Sequence, residues 1–250
     1  VNDLTGIDTL DTWADALHTL TGSPARPTVS GILTPGNGKY LNSWTAPLSV
    51  AVNDGCGRSL AQSVKFEAFY NGSWHWLHMD EFDLDGWTYN WDTENIPDQI
   101  VSLRATIYGW DSSWPSFTST NVTLDRTSPS ITSFSGPAEM SPSGTALISW
   151  SATDALSGIE SYQLQQRVGA TGEWSDLLTD YVGTSYNLSG LTLGTDYYFQ
   201  LRARDNAGNT SDLSEPILVR SPDLVKPVVT WVEPVSATEV ATVYGQSVQL

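Results

Sequence analysis

The sequence contains few of the side chains on which most enzymes depend. Cys56 is the only cysteine among 250 residues, so an intrachain disulfide cannot form. His18, His75 and His78 are the only histidines, and the sequence has no His-Glu-x-x-His, Gly-x-Ser-x-Gly or phosphate-cradling glycine pattern. No third Cys or His lies near His75 and His78 to complete a tetrahedral zinc site, so we expect both imidazoles at the surface. We therefore predict that the chain is not an enzyme.

Positive charge is also scarce. The chain has 28 acidic and 11 basic residues, giving a formal net charge of -17. Such a surface repels phosphate groups, so we expect no nucleic-acid partner. The sequence has no run of about 18 apolar residues, which predicts no membrane insertion. An acidic surface suits an extracellular or cell-surface protein.

Three segments begin in the same way, about 100 residues apart, which is the length of one immunoglobulin-like sandwich. They are "PTVSG" at Pro27, "PSITS" at Pro129 and "PVVTW" at Pro227. This repeat divides the chain into four parts: a linker or short helix at 1–26, two complete repeats at 27–126 and 127–222, and the beginning of a third at 223–250. Pro129 restricts the connection between the complete repeats, so we expect an elongated, semi-rigid arrangement.

Within the repeats, apolar and polar residues alternate with the period of two that β-strands require. The first repeat contains "SVKFEAFY", "WTYNWD", "VSLRATIY" and "FTSTNVTL", and the second contains "SYQLQQR", "SYNLSGL", "DYYFQLRAR" and "PILVRS". Turn residues separate these runs. Only 1–26 shows helical spacing of apolar residues. The predicted fold is all-β, two tandem antiparallel sandwiches.

The second repeat resembles a fibronectin type III domain. The matching residues include Trp150, Tyr162 and the segment "LSGLTLGTDYYFQLRARD". The resemblance implies that Tyr197 is the corner tyrosine, whose hydroxyl bonds back to the preceding turn. The first repeat resembles a bacterial immunoglobulin-like domain, except that "IYGWDSSWPS" replaces the usual Asp-Asn-Gly loop. Both resemblances imply non-catalytic modules of secreted or cell-surface bacterial proteins.

Two groups of acidic residues are candidate calcium ligands. Strands two and six of such a sandwich end together, so Asp154 and Asp205 should lie at one end, beside the incoming linker with Asp125 or Asp98. The segment "EFDLDGWTYNWD" places Glu81, Asp83, Asp85 and Asp92 at calcium-loop spacing. Trp87, Tyr89 and Trp91 alternate there as in a strand, however, and favour a plain hairpin.

Aromatic residues suggest a different ligand. Trp110 and Trp114 lie in a predicted loop, and Trp74 and Trp76 are further candidates for exposed rings. The apolar face of a pyranose stacks on such rings. The alternative is that these side chains cover the open ends of the sandwich or pack on residues 1–26.

Three functions remain open from the sequence. The first is a structural or adhesive spacer or stalk of a secreted or cell-surface protein. The second is a carbohydrate-binding appendage of a secreted hydrolase. The third is a fibre subunit that contacts its own copies or other proteins through exposed strands of 227–250.

Overall fold

The computed structural model describes residues 27–53, 61–81, 86–109 and 116–223. All regular elements in these ranges are β-strands, which form largely antiparallel sheets around two separate apolar cores. The all-β sandwich prediction is therefore confirmed. The predicted helix or linker at 1–26 and the third repeat beyond residue 223 lie outside the described residues. Within the described part, the chain has no helix long and apolar enough to cross a lipid bilayer.

Eight strands of the first sandwich lie within the described ranges. One sheet has the order β1-β3-β6, and the other has the order β2-β8-β7-β4-β5, in which β2 and β8 run parallel. The strands are β1 (Thr28–Thr34), β2 (Lys39–Leu41), β3 (Thr45–Asn53), β4 (Ala61–Tyr70), β5 (Ser73–Asp80), β6 (Trp87–Asp92), β7 (Gln99–Gly109) and β8 (Ser116–Leu124).

The period of two sets the core of this sandwich. In β4, Val64, Phe66 and Ala68 are at most 1% exposed, and they face Trp91 from the opposite sheet. Each large apolar side chain removed from water in this way contributes about 1.5 to 3 kcal/mol. Asn71 and Gly72 join β4 to β5 in a tight turn with φ values of 50° and 81°. That conformation accounts for the Asn-Gly pair in "NGSW".

Seven strands build the second sandwich. Its sheets have the orders β13-β10-β9 and β12-β11-β14-β15. The strands are β9 (Ser130–Ser135), β10 (Ala146–Thr153), β11 (Ile159–Val168), β12 (Ser175–Tyr181), β13 (Ser185–Leu188), β14 (Tyr197–Asp205) and β15 (Ile217–Val219).

Trp150 occupies the centre of the second core. Its ring meets the edges of Tyr162 and Tyr181 at centroid distances of 5.8 and 5.9 Å. The Tyr197 hydroxyl accepts a hydrogen bond from the backbone N–H of Thr192 at 3.0 Å. The corner tyrosine that the resemblance implied is therefore present.

The predicted hairpin across residues 81–92 is wrong. The strand before this segment, β5, pairs with β4, whereas β6 pairs with β3 in the opposite sheet. The connection therefore crosses from one sheet to the other. Asp80 holds the crossing, since its carboxylate accepts the backbone N–H of Thr88 at 3.0 Å.

Candidate functional site

Three aspartates meet where the two sandwiches join. Asp125 follows β8, Asp154 follows β10, and Asp205 ends β14. One carboxylate oxygen from each lies within 4.8 Å of the other two. The common end of β10 and β14 therefore faces the chain as it arrives from the first sandwich. We refer to these three residues as the junction cluster.

Asp154 organises the loop that follows β10. Its Oδ2 accepts the backbone N–H groups of Leu156, Ser157 and Gly158 at 3.0, 2.9 and 2.9 Å. Its Oδ1 is shielded from solvent and has no hydrogen-bond partner in the described part of the chain. One carboxylate oxygen is thus available to an additional ligand.

The other two aspartates are fully buried. Asp125 and Asp205 are both 0% exposed. Asp125 Oδ2 accepts the N–H of Ser157 at 3.0 Å, and Asp205 accepts the backbone and side-chain N–H groups of Asn209, each at 2.8 Å. Among the described residues, no carboxylate of the junction cluster forms an ion pair. Three close carboxylates without a basic partner are suited to a hard divalent cation such as calcium.

Asp98, the other donor considered for this site, lies elsewhere. It forms an ion pair with Arg126 at 2.8 Å and also accepts the Arg126 backbone N–H at 2.8 Å. Burial acts to raise the pKa of Asp98, but the hydrogen bonds from the Arg126 backbone, Thr127 and the Arg126 side chain, with its positive charge, outweigh burial and hold that pKa below its usual value. Asp98 therefore anchors the linker and is not part of the junction cluster.

The linker is attached to both sandwiches by neighbouring residues. The Arg126 guanidinium donates to the carbonyls of Thr93 and Ile96 and stacks 4.2 Å from the ring centroid of Trp44, all in the first sandwich. On the other side, the Asn209 side chain donates to the Asp125 carbonyl at 2.9 Å. Contacts of Arg126 with the first sandwich and of Asp125 with the second therefore meet at consecutive residues of the linker.

The second candidate calcium set is only partly described. Asp83 and Asp85 lie outside the described residues. Glu81 is exposed, and Asp92 accepts the N–H of Glu94 at 2.9 Å at the end of β6. Strand β6 keeps its residues extended, which disfavours a calcium loop, and that loop stays a prediction because residues 82–85 are not described.

The aromatic candidates on β5 point outward. Trp74 is 39% exposed and Trp76 is 63% exposed. Trp110 and Trp114 lie outside the described residues. His75 and His78, which were expected at the surface, are half-buried and stack on Tyr70 and Tyr89 at centroid distances of 3.9 and 4.7 Å.

A bulge in β5 explains this arrangement. Glu67 pairs with Trp76 and Phe66 pairs with His78, so Leu77 is the additional residue. Both histidines consequently face inward and both tryptophans face outward.

Several residues of these sites were not singled out from the sequence. Asn209 and Arg126 fix the junction, and Glu67 and Arg104 lie beside the tryptophans. For Glu67 and Arg104, the alternation of the sequence indicates an outward position but not their pairing. The side-chain contacts of Arg126 span about 30 residues along the chain, and no local pattern reveals them.

Residues 127–220 match the family model described as fibronectin type III domain. This part of the chain is therefore similar to fibronectin type III domains. The bacterial immunoglobulin-like identity of the first sandwich stays a prediction.

Three curated relatives match part of the chain. Chitinase A1 of Niallia circulans is 32% identical over 96 residues, which is 38% of this chain and 13% of that protein. Exoglucanase B of Cellulomonas fimi is 33% identical over 108 residues, covering 41% of this chain and 9% of that protein. Endoglucanase B of Cellulomonas fimi is 26% identical over 132 residues, covering 52% of this chain and 12% of that protein. The chain thus spans a small fraction of the relatives it matches.

Solved structures with fibronectin type III folds are also similar. The chicken CNTN1 FN1-FN3 domains align at 15% identity with a TM-score of 0.48, over 80% of this chain and 67% of that one. An Fn3-like protein from Clostridium thermocellum aligns at 26% identity with a TM-score of 0.31, over 40% of this chain and 100% of that one.

Proposed function

We propose that the chain is a non-catalytic accessory region of a secreted polysaccharide hydrolase, in which two β-sandwiches form a stiff spacer. A fibronectin type III domain and partial matches to a chitinase and two glucanases support the setting. An extracellular location follows from this proposal and agrees with the net charge of -17.

The observation that carries the spacer role is the two-sided attachment of the linker. Two domains joined by a linker usually move relative to each other unless a large interface holds them together. Here Arg126 is bound to the first sandwich, whereas Asp125 contacts Ser157 and Asn209 of the second. Gly208 adds close packing, because a Cβ placed on it would lie 3.4 Å from the side-chain nitrogen of Asn42 in the first sandwich. These contacts oppose bending at the junction.

We also assign the junction cluster as a calcium site within this spacer. The buried carboxylates and the unpartnered Oδ1 of Asp154 support the assignment. A bound cation would offset the mutual repulsion of the three carboxylates and fasten the end of the first sandwich to the second.

Carbohydrate binding is a second candidate function. The observation that favours it is the exposure of Trp74 and Trp76 on one sheet face. The third function considered from the sequence, fibre formation through 227–250, depends on residues outside the described part and stays a prediction.

Small-angle scattering of the 250-residue chain tests the spacer role. Asn209→Ala removes the side-chain hydrogen bonds to Asp125 and Asp205. Because the sandwiches would then move more freely, we expect the maximum dimension to increase and the distance distribution to broaden. Asn187→Ala is the matched control, since Asn187 is exposed on β13 away from the junction. A wild type that already shows the broad distance distribution of two freely moving sandwiches, with both sandwiches folded, would exclude a stiff junction.

A further inference from the structure

The outward face of the five-stranded sheet carries an exposed aromatic group beside a paired set of charges. Strand β4 turns Phe66 and Ala68 into the core, so Lys65, Glu67 and Phe69 occupy outward positions. The register sets Phe69 opposite Trp74 and Glu67 opposite Trp76. We name Trp74, Trp76, Phe69, Glu67 and Arg104 the tryptophan face.

The rings of this face are open to solvent. Trp76 is 63% exposed, and the sheet core is complete without it. Trp74 and Trp76 are alternate residues of one strand, so they lie about 7 Å apart along it. Adjacent exposed aromatic residues on one sheet face are typical of a binding surface rather than of a solvated one.

Trp74 is held in a fixed orientation. The Arg104 guanidinium carbon lies 4.0 Å from its ring centroid, and the ring of Phe69 meets it edge-on at 5.5 Å. Arg104 is itself fixed by Glu67, with contacts of 2.9 and 2.8 Å to the same carboxylate oxygen. A ligand that stacks here therefore loses little side-chain entropy from the protein.

The charges of the face are paired with one another. Glu67 is 9% exposed and lies between Arg104 and Lys65, whose Nζ is 3.2 Å from its second carboxylate oxygen. The next outward pair across the sheet is neutral, because the Ser102 hydroxyl donates to Asn121 at 2.7 Å. These polar residues offer hydrogen bonds without an unpaired positive charge that would attract a polyanion. The net negative charge of the chain also repels a polyanion.

We propose that the tryptophan face binds a single chain of an uncharged pyranose polymer of the glucan or chitin class. Trp76 would stack on the apolar face of a sugar ring, and Arg104, Glu67 and Asn121 would bond its hydroxyl or amide groups. This proposal rests on the accessory role inferred above, which supplies the ligand class. It adds the location of the site and the residues that act there.

Two binding measurements on the 250-residue chain test the proposal. The first is a depletion assay with microcrystalline cellulose and with chitin, and the second is calorimetry with soluble oligosaccharides of both polymers. We expect saturable binding to at least one polymer. Trp76→Ala should weaken it about tenfold, and the Trp74→Ala, Trp76→Ala double variant should weaken it further. Trp174→Ala is the matched control, because Trp174 also packs on an arginine, Arg167, but on the second sandwich.

Melting midpoints establish that each variant is folded. Absence of binding to both polymers, or binding that Trp76→Ala leaves unchanged, overturns the proposal. So does a dimer of the wild type that Trp76→Ala dissociates, because the face would then be a contact between copies of this chain. A stiff junction measured by scattering stands in each of these cases, so the failure of this site is distinguishable from the failure of the spacer role.

Discussion

At the scale of single residues, the Asp98–Arg126 pair is the most heavily bonded contact of the junction. The Arg126 side chain is 9% exposed and that of Asp98 is 19% exposed. Removing the carboxylate charge would leave a nearly buried guanidinium without its counter-charge. We expect Asp98→Asn to lower the free energy of unfolding by about 2 kcal/mol at pH 7.

The pH dependence of this effect has a defined direction. The pKa of Asp98 in the folded state lies below its ordinary value of 3.8. Its contribution is therefore complete above the unfolded pKa and disappears as the pH falls through the lower folded pKa. Urea titrations from pH 7 to pH 2 should show the wild type and Asp98→Asn converging below about pH 4. A constant difference over this range would show that the ion pair is not its cause.

The calcium assignment is also tested at single residues. We expect calcium to raise the melting midpoint of the wild type relative to a chelator. A site occupied at about 100 times its dissociation constant adds about 2.7 kcal/mol to the free energy of unfolding. Asp154→Asn should abolish this shift, whereas Asp212→Asn, at an exposed position outside the junction cluster, should retain it. Equal midpoints of the wild type in calcium and chelator would exclude the site.

At the scale of elements, strands with a strong period of two were predictable and weakly patterned strands were not. The run "WTYNWD" coincides with β6, and Tyr197, Phe199, Leu201 and Ala203 of β14 are buried as their alternation predicts. Strand β12 was not predicted, because "SDLLTDY" contains two aspartates and has no clear alternation. It forms through backbone pairing with β11, which tertiary structure provides.

The connections between strands, and the way in which strands pair, were harder to predict from the sequence than the positions of the strands. The crossing from β5 to β6 resembles a hairpin in sequence, because "DLDG" is turn chemistry and the flanking runs alternate. Only the pairing of each strand with a different sheet reveals the crossover. The bulge in β5, which turns the histidines inward, was unpredictable for a similar reason. A bulge depends on how two strands pair, so neither the sequence of β4 nor that of β5 reveals it alone.

The candidate sites were partly predictable for the same reason. Asp125, Asp154 and Asp205 could be placed together because strand direction in a sandwich fixes which loops share an end. Asp98 could not be separated from them, because its pairing with Arg126 depends on side-chain geometry. The roles of Glu67 and Arg104 depend on the register of β4 with β7, which juxtaposes them.

At the scale of the whole molecule, the proposed spacer role requires the junction to couple two separate apolar cores. Each core is complete, so neither sandwich needs the other for its apolar packing. The coupling is instead polar, through Asp125, Arg126 and Asn209. In the proposed role, this coupling would fix the orientation of the sandwiches and leave the outward sheet faces, including the tryptophan face, available for binding.

Residual dipolar couplings of the backbone amides test this claim most directly, because they report the orientation of each sandwich separately. We predict that one alignment tensor fits both sandwiches of the wild type and of Asn187→Ala. Asn209→Ala should require two tensors of different magnitude. If the wild type already requires two independent tensors, the sandwiches move freely and the chain is not a stiff spacer.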